Sequence, residues 1–306
     1  MPPRGIEGFK RGDPEELRPP RVGGTPGNAP APGNGPSRSG ARRTGLARLL
    51  AWPLYGLYER YLLRQVRRGP VPRHVGLILD GNRRFGRAQG FMHTRDAYSV
   101  GADKLDELLD WCVELGIPAI TLWVFSTDNF SRPSEELTGL MAVTEAKLQA
   151  LARDPRIHSR RIRVCAVGRL DLLPESTVAA VRAAEAATQD YGDVRLTLAA
   201  AYGGREEITD AVQALLRGEL AAGNTLQQAI EAVTPERIGR YLYAPDLPEP
   251  DLIIRTSGEV RLSGFMLWQS VYSEFYFTDI FWPAFRRIDF LRAVRSFQQR
   301  NRRFGS

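Results

Sequence analysis

From residue 74 onwards, short apolar runs alternate with longer segments in which apolar residues recur at helical spacing. The short runs are typical of buried strands, and the longer segments are typical of amphipathic helices. Strands that alternate with helices predict a parallel sheet with helices on both faces. We therefore expect an α/β fold, a single domain with a central, mostly parallel six-stranded sheet flanked by helices. The predicted strands are 74–79, 119–125, 161–167, 194–201, 251–255 and 275–277, and the predicted helices are 97–115, 134–152, 174–189, 204–221, 234–242 and 288–303.

The first 70 residues differ in composition from the rest of the chain. Residues 1–45 are rich in Pro, Gly, Arg and Ser, which predicts a disordered leader because such a segment buries little apolar surface. Residues 46–70 carry leucines and tyrosines at helical spacing with arginines among them, which predicts an amphipathic N-terminal helix. Residues 71–306 then form the main domain.

The net charge of +7 originates in this N-terminal region, which holds 13 of the 42 basic residues but only five of the 35 acidic ones. The main domain is close to neutral, so we expect no nucleic acid among its partners. The helical segment 46–68 has two compatible interpretations. It packs on the main domain, or it rests on an anionic membrane surface as a basic, aromatic-rich helix.

The compartment is indicated by the cysteines and by the hydropathy. Cys112 and Cys165 lie within apolar segments, which favours a reducing compartment over a disulfide framework. His74, His93 and His158 lack metal-ligand spacing with the cysteines, so no zinc site is expected. No apolar run approaches the roughly 20 residues that cross a bilayer. We expect a cytoplasmic protein, with at most a peripheral contact at the inner face of the cell membrane.

Polar motifs follow three of the predicted strands. Asp80 follows the first strand in HVGLILDGNRRFGRAQG, and Ser126 follows the second in FSTDNFSRP. Arg255 ends the fifth strand in DLIIRTSGEVRLSGF. Ligands of open α/β sheets bind beyond the carboxyl ends of the strands, so these motifs are expected to meet at one edge. Arginine forks match phosphate oxygens, and Arg84, Arg255 and Arg261 therefore predict an anion site.

A carboxylate accompanies this predicted anion site. Mg²⁺ usually takes one or two carboxylates and fills its other positions with water and phosphate oxygens. Asp80 with Glu274, which lies close to the last strand, matches that ligand set. The Gly81–Asn82 turn, followed by a helix start, adds backbone N–H groups that bind phosphate. The sequence therefore predicts a site for Mg²⁺ and a phosphorylated ligand.

Together, the motifs HVGLILDGNRRFGRAQG, FSTDNFSRP, AYGGREEI, DLIIRTSGEVRLSGFMLWQ and YSEFYFTDIFWPAF resemble the ordered motif set of the cis-prenyltransferases, the undecaprenyl diphosphate synthase family. The resemblance runs from about residue 55 to Gly305. DGNRR, RTSGE and RLSGF are most similar to short-chain actinobacterial members that make Z,E-farnesyl diphosphate. The resemblance implies a Mg²⁺-dependent homodimeric transferase that condenses isopentenyl diphosphate with an allylic diphosphate, here geranyl diphosphate. Its product would be (2Z,6E)-farnesyl diphosphate, with release of diphosphate.

The resemblance also implies roles for individual residues. Asp80 would bind Mg²⁺ and help the allylic diphosphate to leave, and Glu274 would share the metal. Ser126 and Asn129 would lie beside the reacting carbons and assist proton removal. The remaining substrate-binding residues would be Gly81, Asn82, Arg83, Arg84, Phe85, Thr127, Asp128, Phe130 and Arg132 on the allylic side, Arg255, Arg261, Leu262 and Ser263 for isopentenyl diphosphate, and Arg303, which would reach the site of the partner subunit.

Four positions differ from the pattern of many family members. Arg83 and Phe85 stand where many members have Gly and Trp, and the extra cation can alter the preference for the allylic substrate. The basic or histidine pair of many members is not clearly reproduced in residues 94–98, which are shifted by about one residue from the family pattern. Tyr98 would replace the histidine, and no role is assigned to this segment. Val124 stands where long-chain members have a small residue. A branched side chain narrows the product tunnel, which predicts a short product.

Alternatives remain. A long-chain polyprenyl diphosphate synthase of the undecaprenyl or decaprenyl type differs only in product length. A non-catalytic partner subunit of a heteromeric prenyltransferase would lack motif residues that are present here, such as Asp80 and Asn129. A trans-type synthase requires DDxxD motifs, whereas the acidic residues of 103–110 are spread along one predicted helix as a solvated face. A Rossmann-like nucleotide-binding protein requires a glycine fingerprint after the first strand, which is missing.

Overall fold

In the computed structural model, which describes residues 56–301, six strands form one sheet in the order β3-β4-β2-β1-β5-β6. Every neighbouring pair of these strands is parallel. The predicted α/β fold is confirmed, and its sheet is wholly rather than mostly parallel. The strands are β1 (His74–Ile78), β2 (Ala119–Trp123), β3 (Ile162–Val167), β4 (Val194–Ala199), β5 (Leu252–Arg255) and β6 (Glu274–Phe277).

Helices connect these strands in the places that the periodicity predicts. The two short helices Pro155–Ser159 and Leu226–Glu231 were not predicted, and only the start of the helix that follows β1 was expected. In that segment the charged residues and Gly86 obscure the apolar spacing of the helix. The helices are α1 (56–66 within the described residues), α2 (Asn82–Gln89), α3 (Thr94–Leu115), α4 (Ser134–Leu151), α5 (Pro155–Ser159), α6 (Glu175–Thr188), α7 (Gly204–Ala221), α8 (Leu226–Glu231), α9 (Pro235–Gly239) and α10 (Arg287–Asn301).

The core lies at the centre of the sheet. Val75 and Leu77 of β1 and Ile120 and Leu122 of β2 are at most 1% exposed. A parallel sheet that is covered on both faces buries successive residues of a strand, which explains why these strands are continuous apolar runs.

Helix α1 packs on this core through one face. Leu62 and Val66, four residues apart, are fully buried, whereas Leu57, Tyr58 and Tyr61 are exposed. The helix therefore packs on the main domain, as its first interpretation expects. No helix within residues 56–301 has the length and apolarity that a membrane span requires. The predicted leader (1–45), the start of the amphipathic helix and Arg303 lie outside the described residues.

The strand order brings the three polar motifs together. β1 lies between β2 and β5, and Ile78 is in register with Trp123 on one side and with Arg255 on the other. Because the three strands are parallel, Asp80, Ser126 and Arg255 lie at one edge of the sheet. The sheet thus supplies the platform for a site.

Candidate active site

A cavity of about 560 Å³ opens at the carboxyl edge of β1, β2 and β5. Its wall combines the three motifs that the sequence analysis expected to meet. The predicted site residues that line it are Asp80, Gly81, Asn82, Arg83, Arg84, Val124, Ser126, Asn129, Arg132, Arg255, Arg261 and Ser263.

A tight turn after β1 holds Asp80 in place. The Gly81 N–H donates to the Asp80 Oδ1 at 2.7 Å, and the Thr256 hydroxyl donates to the Asp80 carbonyl at 2.7 Å. Gly81 has a φ of 103°, and a Cβ at this position would lie 2.8 Å from the ring of Phe281. Only glycine meets both conditions without strain. The turn therefore fixes both the backbone and the carboxylate of Asp80.

Arg255 is the main partner of this carboxylate. Its Nη2 donates to the Asp80 Oδ2 at 2.9 Å, its Nη1 donates to the Ser263 hydroxyl at 2.9 Å, and the residue is only 5% exposed. Partial burial by itself raises the pKa of Asp80, but hydrogen bonds from Arg255 and Ser257 outweigh burial and hold this pKa below its usual value. Asp80 is therefore ionised at neutral pH.

A second carboxylate, Glu259, joins the other arginines of the anion site. Arg84 lies between the two carboxylates, with its Nη2 at 3.5 Å from the Asp80 Oδ1 and its Nη1 at 3.4 Å from the Glu259 Oε1. Arg84 also donates to the Ser257 hydroxyl at 2.6 Å, and Arg261 donates to the Glu259 Oε2. Arg84 and Arg261 are both well exposed to solvent. Their guanidinium groups are therefore accessible to an anion in the cavity.

The motif after β2 folds into a short 3₁₀-helix, Thr127–Ser131, which positions Ser126 and Asn129. The Ser126 N–H donates to the Asn129 side-chain oxygen at 3.2 Å, and the Asn129 N–H donates to the Ser126 carbonyl at 3.1 Å. These reciprocal bonds hold the Asn129 side chain against the Ser126 backbone at the cavity wall. Among the hydrogen bonds within residues 56–301, neither side chain is paired with a carboxylate or a histidine.

A third carboxylate, Glu136 of α4, holds two further arginines of the site. Its Oε1 accepts hydrogen bonds from the Tyr98 hydroxyl at 2.7 Å and from the Arg132 Nη1 at 3.1 Å, and it lies 3.7 Å from the Arg83 Nη1. Arg132 also donates to the Tyr98 hydroxyl at 2.8 Å. Burial and the neighbouring Glu136 raise the pKa of Tyr98 well above its usual value, so the phenol stays a neutral donor.

The deeper wall of the cavity is apolar. Trp123, Phe125 and Leu140 line it and are themselves largely buried. Val124 is half-buried there, and its N–H donates to the Ala199 carbonyl at 2.9 Å, which extends the pairing of β2 with β4 by one residue. The Val124 side chain therefore belongs to a rigid part of the wall. A cavity that is lined both by arginines and by buried apolar side chains suits an amphipathic anion.

Some predicted residues lie beside the cavity rather than in its wall. Phe85 packs edge-to-face on Phe91, and Phe130 packs edge-to-face on Phe125, with ring centroids 6.1 and 6.0 Å apart. Leu262 packs against the apolar cluster around Ile78 and Trp123. Thr127 and Asp128 lie on the 3₁₀-helix next to Ser126, and Asp128 is exposed to solvent.

Glu274 requires a correction. It is the first residue of β6 and is in register with Leu252, the first residue of β5, at the amino edge of the sheet. Asp80 lies beyond the carboxyl end of β1, so the two carboxylates occupy opposite edges. Glu274 instead pairs with Arg300 of α10 at 2.9 Å. The expectation that Asp80 and Glu274 share one metal ion is therefore wrong within a single chain.

The remaining ligand set still suits Mg²⁺ bound together with a phosphate. Within residues 56–301, no group of three His, Cys, Asp or Glu side chains is arranged to hold a metal ion. Asp80, however, presents an ionised carboxylate at the cavity wall among arginines that bind phosphate oxygens. A Mg²⁺ ion that takes one carboxylate and completes its shell with diphosphate oxygens and water fits this arrangement.

Sequence reasoning missed several residues of the site. Glu259 stands two residues before Arg261, and Glu136 stands four residues after Arg132, which is the helical spacing of an ion pair. The second spacing is a signal that was present in RPSEEL. Tyr98, which had no assigned role, lines the cavity, and so do Arg87 and Leu140.

Comparison with known proteins identifies the group of enzymes that share these motifs. Residues 78–305 match the family model described as "Putative undecaprenyl diphosphate synthase". The chain belongs to the undecaprenyl diphosphate synthase family. This membership accounts for the ordered motifs at the three strand ends and confirms the resemblance seen in the sequence.

Relatives within the undecaprenyl diphosphate synthase family are similar over most of the chain. An isoprenyl transferase of Deinococcus radiodurans is 57% identical over 81% of this chain and 90% of its own length. A (2Z,6E)-farnesyl diphosphate synthase of Thermobifida fusca is 50% identical over 84% of this chain and 99% of its own length.

A solved structure supports the same conclusion about fold and family. Lavandulyl diphosphate synthase from Lavandula x intermedia, in complex with dimethylallyl diphosphate, superposes with a TM-score of 0.68 and 30% identity, covering 74% of this chain and 95% of that one. The curated relatives carry names for products of different length, from (2Z,6E)-farnesyl to undecaprenyl diphosphate. This chain is thus a prenyltransferase of isoprenoid biosynthesis by family.

Proposed function

We propose that the protein is a Mg²⁺-dependent cis-prenyltransferase that condenses isopentenyl diphosphate with geranyl diphosphate to give (2Z,6E)-farnesyl diphosphate. The observation that carries this proposal is the ionised Asp80 carboxylate held among Arg84 and Arg255 in a cavity that is also lined by apolar side chains. Such a cavity suits a ligand with a diphosphate head and a hydrocarbon tail.

The proposed reaction transfers a prenyl group with a balanced exchange of bonds. The bond between C1 and the diphosphate oxygen of the allylic substrate breaks, and its electron pair leaves with the diphosphate. The double bond of isopentenyl diphosphate supplies the electrons of the new carbon–carbon bond to that C1. Loss of one proton from isopentenyl C2 then forms the new Z double bond, so diphosphate and a proton are the other products.

The residues of the anion site would divide this work. Arg84 and the N–H groups at the start of α2 would bind the departing diphosphate, and Arg255, Arg261 and Ser263 would bind isopentenyl diphosphate. Mg²⁺, held by Asp80, would supply further stabilisation of the negative charge on the leaving group. Ser126 and Asn129 would form a hydroxyl-and-amide relay for the released proton, since no strong base adjoins them.

Product length is proposed from the apolar wall. Val124 lines the cavity beside Trp123 and Phe125, and its N–H donates to the Ala199 carbonyl. A growing chain that extended along this wall would meet its branched side chain. A packed wall yields little to extra volume. We therefore favour one addition to geranyl diphosphate over the long-chain products of an undecaprenyl or decaprenyl type.

Product analysis tests the proposal directly. Purified protein and Mg²⁺ are incubated with labelled isopentenyl diphosphate and, separately, with dimethylallyl, geranyl and E,E-farnesyl diphosphates, and the dephosphorylated alcohols are separated. We expect Z,E-farnesol from geranyl diphosphate as the single product. A ladder of polyprenols would favour the long-chain alternative, and no product from any primer would favour a non-catalytic partner subunit.

We further propose that the chain acts as a cytoplasmic homodimer with a peripheral membrane contact through residues 46–68. The exposed Leu57, Tyr58 and Tyr61 lie on the same helix as the exposed Arg60 and Arg64, which matches an anionic membrane surface. Light scattering after size exclusion tests the dimer. Sedimentation with vesicles of phosphatidylglycerol tests the membrane contact, and vesicles of phosphatidylcholine alone are the control.

A further inference from the structure

Tyr98 joins three helices at the wall of the cavity. It lies on α3 and is only 7% exposed, its hydroxyl donates to Glu136 of α4, and it accepts a hydrogen bond from Arg132. Glu136 in turn lies beside Arg83 of α2. The phenol thus has both a donor and an acceptor partner, so its hydroxyl orientation is fully determined by these contacts.

Glu136 concentrates these contacts on a single atom. Its Oε1 accepts from Tyr98 and from Arg132 and faces the Arg83 guanidinium, while its side chain is only 13% exposed. Arg83 and Arg132 have long, flexible side chains, and a shared partner reduces the number of directions in which they point. Preorganised donors bind an anion more tightly because less conformational entropy is lost on binding.

We propose that Tyr98 and Glu136 are positioning residues that aim Arg132 and Arg83 at the allylic diphosphate. They thereby set how tightly the allylic substrate binds. The proposal rests on the proposed function. Arg83 belongs to α2 and Arg132 directly follows the 3₁₀-helix, whereas Arg255 and Arg261 belong to β5 and the loop after it. A change that misdirects Arg83 and Arg132 therefore weakens binding of the allylic diphosphate and leaves binding of isopentenyl diphosphate unchanged.

Kinetics with the two substrates varied separately tests the inference. In Tyr98→Phe the KM for geranyl diphosphate should rise about tenfold, as expected for one hydrogen bond to a charged network, while kcat and the KM for isopentenyl diphosphate stay within about twofold. Tyr243→Phe is the matched control, because the Tyr243 hydroxyl donates to the Asp210 Oδ2 at 2.6 Å outside the cavity. Unchanged kinetics in Tyr98→Phe, or equal rises in both KM values, overturn the inference.

A double-mutant cycle separates positioning from a purely structural role. If Tyr98 acts through Arg132, then Tyr98→Phe adds little to the KM of an Arg132→Lys variant. Independent, additive effects of the two substitutions would overturn the inference. Glu136→Gln should show the same selective rise in the allylic KM, and should that variant fail to fold, the Tyr98→Phe cycle stands without it.

Binding of geranyl diphosphate without isopentenyl diphosphate distinguishes this inference from the proposed function. No turnover occurs in this mixture, and calorimetry gives the dissociation constant directly. If the wild type made no product but Tyr98→Phe bound geranyl diphosphate more weakly than the wild type, the proposed reaction would be excluded and the positioning role would stand. Normal turnover with equal binding by Tyr98→Phe and wild type would sink the positioning role alone.

Discussion

Asp80 and Arg255 form an ion pair in which the Arg255 Nη2 donates to the Asp80 Oδ2 at 2.9 Å. Arg255 is 5% exposed, and its Nε has no hydrogen-bond partner among the described residues. The carboxylate proposed to bind Mg²⁺ is therefore also the charge that compensates a buried guanidinium. Catalysis and stability are coupled at this position.

Asp80→Ala should abolish product formation and also lower the free energy of unfolding by about 2 kcal/mol, because it leaves a buried cation without its partner. Adding inorganic diphosphate should restore part of this stability, since the anion replaces the carboxylate beside Arg255. Urea unfolding with and without diphosphate measures both effects. Asp246→Ala, which removes the exposed partner of Arg195, is the control and should keep full turnover. Retained activity in Asp80→Ala would exclude Asp80 from the reaction.

The size of residue 124 should control product length. Val124→Ala widens the apolar wall, and we expect products with one or more additional isoprene units. Val124→Phe fills the space and should reduce turnover with geranyl diphosphate while sparing dimethylallyl diphosphate. Chromatography of the dephosphorylated products measures both. Val167→Ala, at the end of β3 and outside the cavity wall, should leave the product unchanged. If the wild type and both Val124 variants gave the same product distribution, the contact that determines product length would lie elsewhere.

Glu259 competes with ligands for two arginines. It pairs with Arg84 and Arg261, and the side chains involved are 30–61% exposed, so each pair contributes little. Glu259→Gln frees both guanidinium groups, and we expect inorganic diphosphate to bind about two- to fivefold more tightly in calorimetry. Glu219→Gln, which removes a carboxylate that pairs with Arg237, should bind as the wild type does. Weaker binding in Glu259→Gln would mean that Glu259 orients the arginines instead of competing for them.

Stability should fall in mild acid because of His74. Burial lowers the pKa of His74 from 6.5 to about 4, against the opposing effects of the Pro248 carbonyl and Asp251. Between these values the unfolded chain binds a proton that the folded chain does not, so the free energy of unfolding should drop by about 3 kcal/mol from pH 6.5 to 4. The pKa of Asp80 is lowered from its usual value of 3.8, so Asp80 changes the free energy of unfolding only below about that pH. It does not affect the range from pH 6.5 to 4.

Urea unfolding at pH 7.0, 5.5 and 4.5 measures the effect of His74. His74→Gln should be less stable at pH 7, because hydrogen bonds to Thr121 and Pro248 are perturbed, but its stability should decline less with acid. His93→Gln alters an exposed histidine and should keep the full decline. An identical decline in His74→Gln would assign the acid sensitivity to other groups.

The sequence predicts the sheet and the meeting of the motifs because both depend on local patterns. Apolar runs identify the strands, and the parallel arrangement brings Asp80, Ser126 and Arg255 to one edge. Glu274 was paired with Asp80 because it is close to the last strand, but it precedes this strand in the chain and therefore lies at the amino edge of a parallel sheet. Tyr98 and Glu136 are 38 residues apart on different helices, so only the packing of α3 on α4 brings them into contact.

Three carboxylates each hold two arginines around the cavity: Asp80 with Arg84 and Arg255, Glu259 with Arg84 and Arg261, and Glu136 with Arg83 and Arg132. Seen from a distance, these opposite charges cancel in part. Electrostatic steering of a diphosphate from bulk solvent is therefore weaker than the number of arginines suggests. The association rate of the diphosphate should depend only moderately on ionic strength. Selection then takes place after entry, where an anion must draw Arg84 and Arg261 from Glu259, and a singly charged ligand is poorly able to do so.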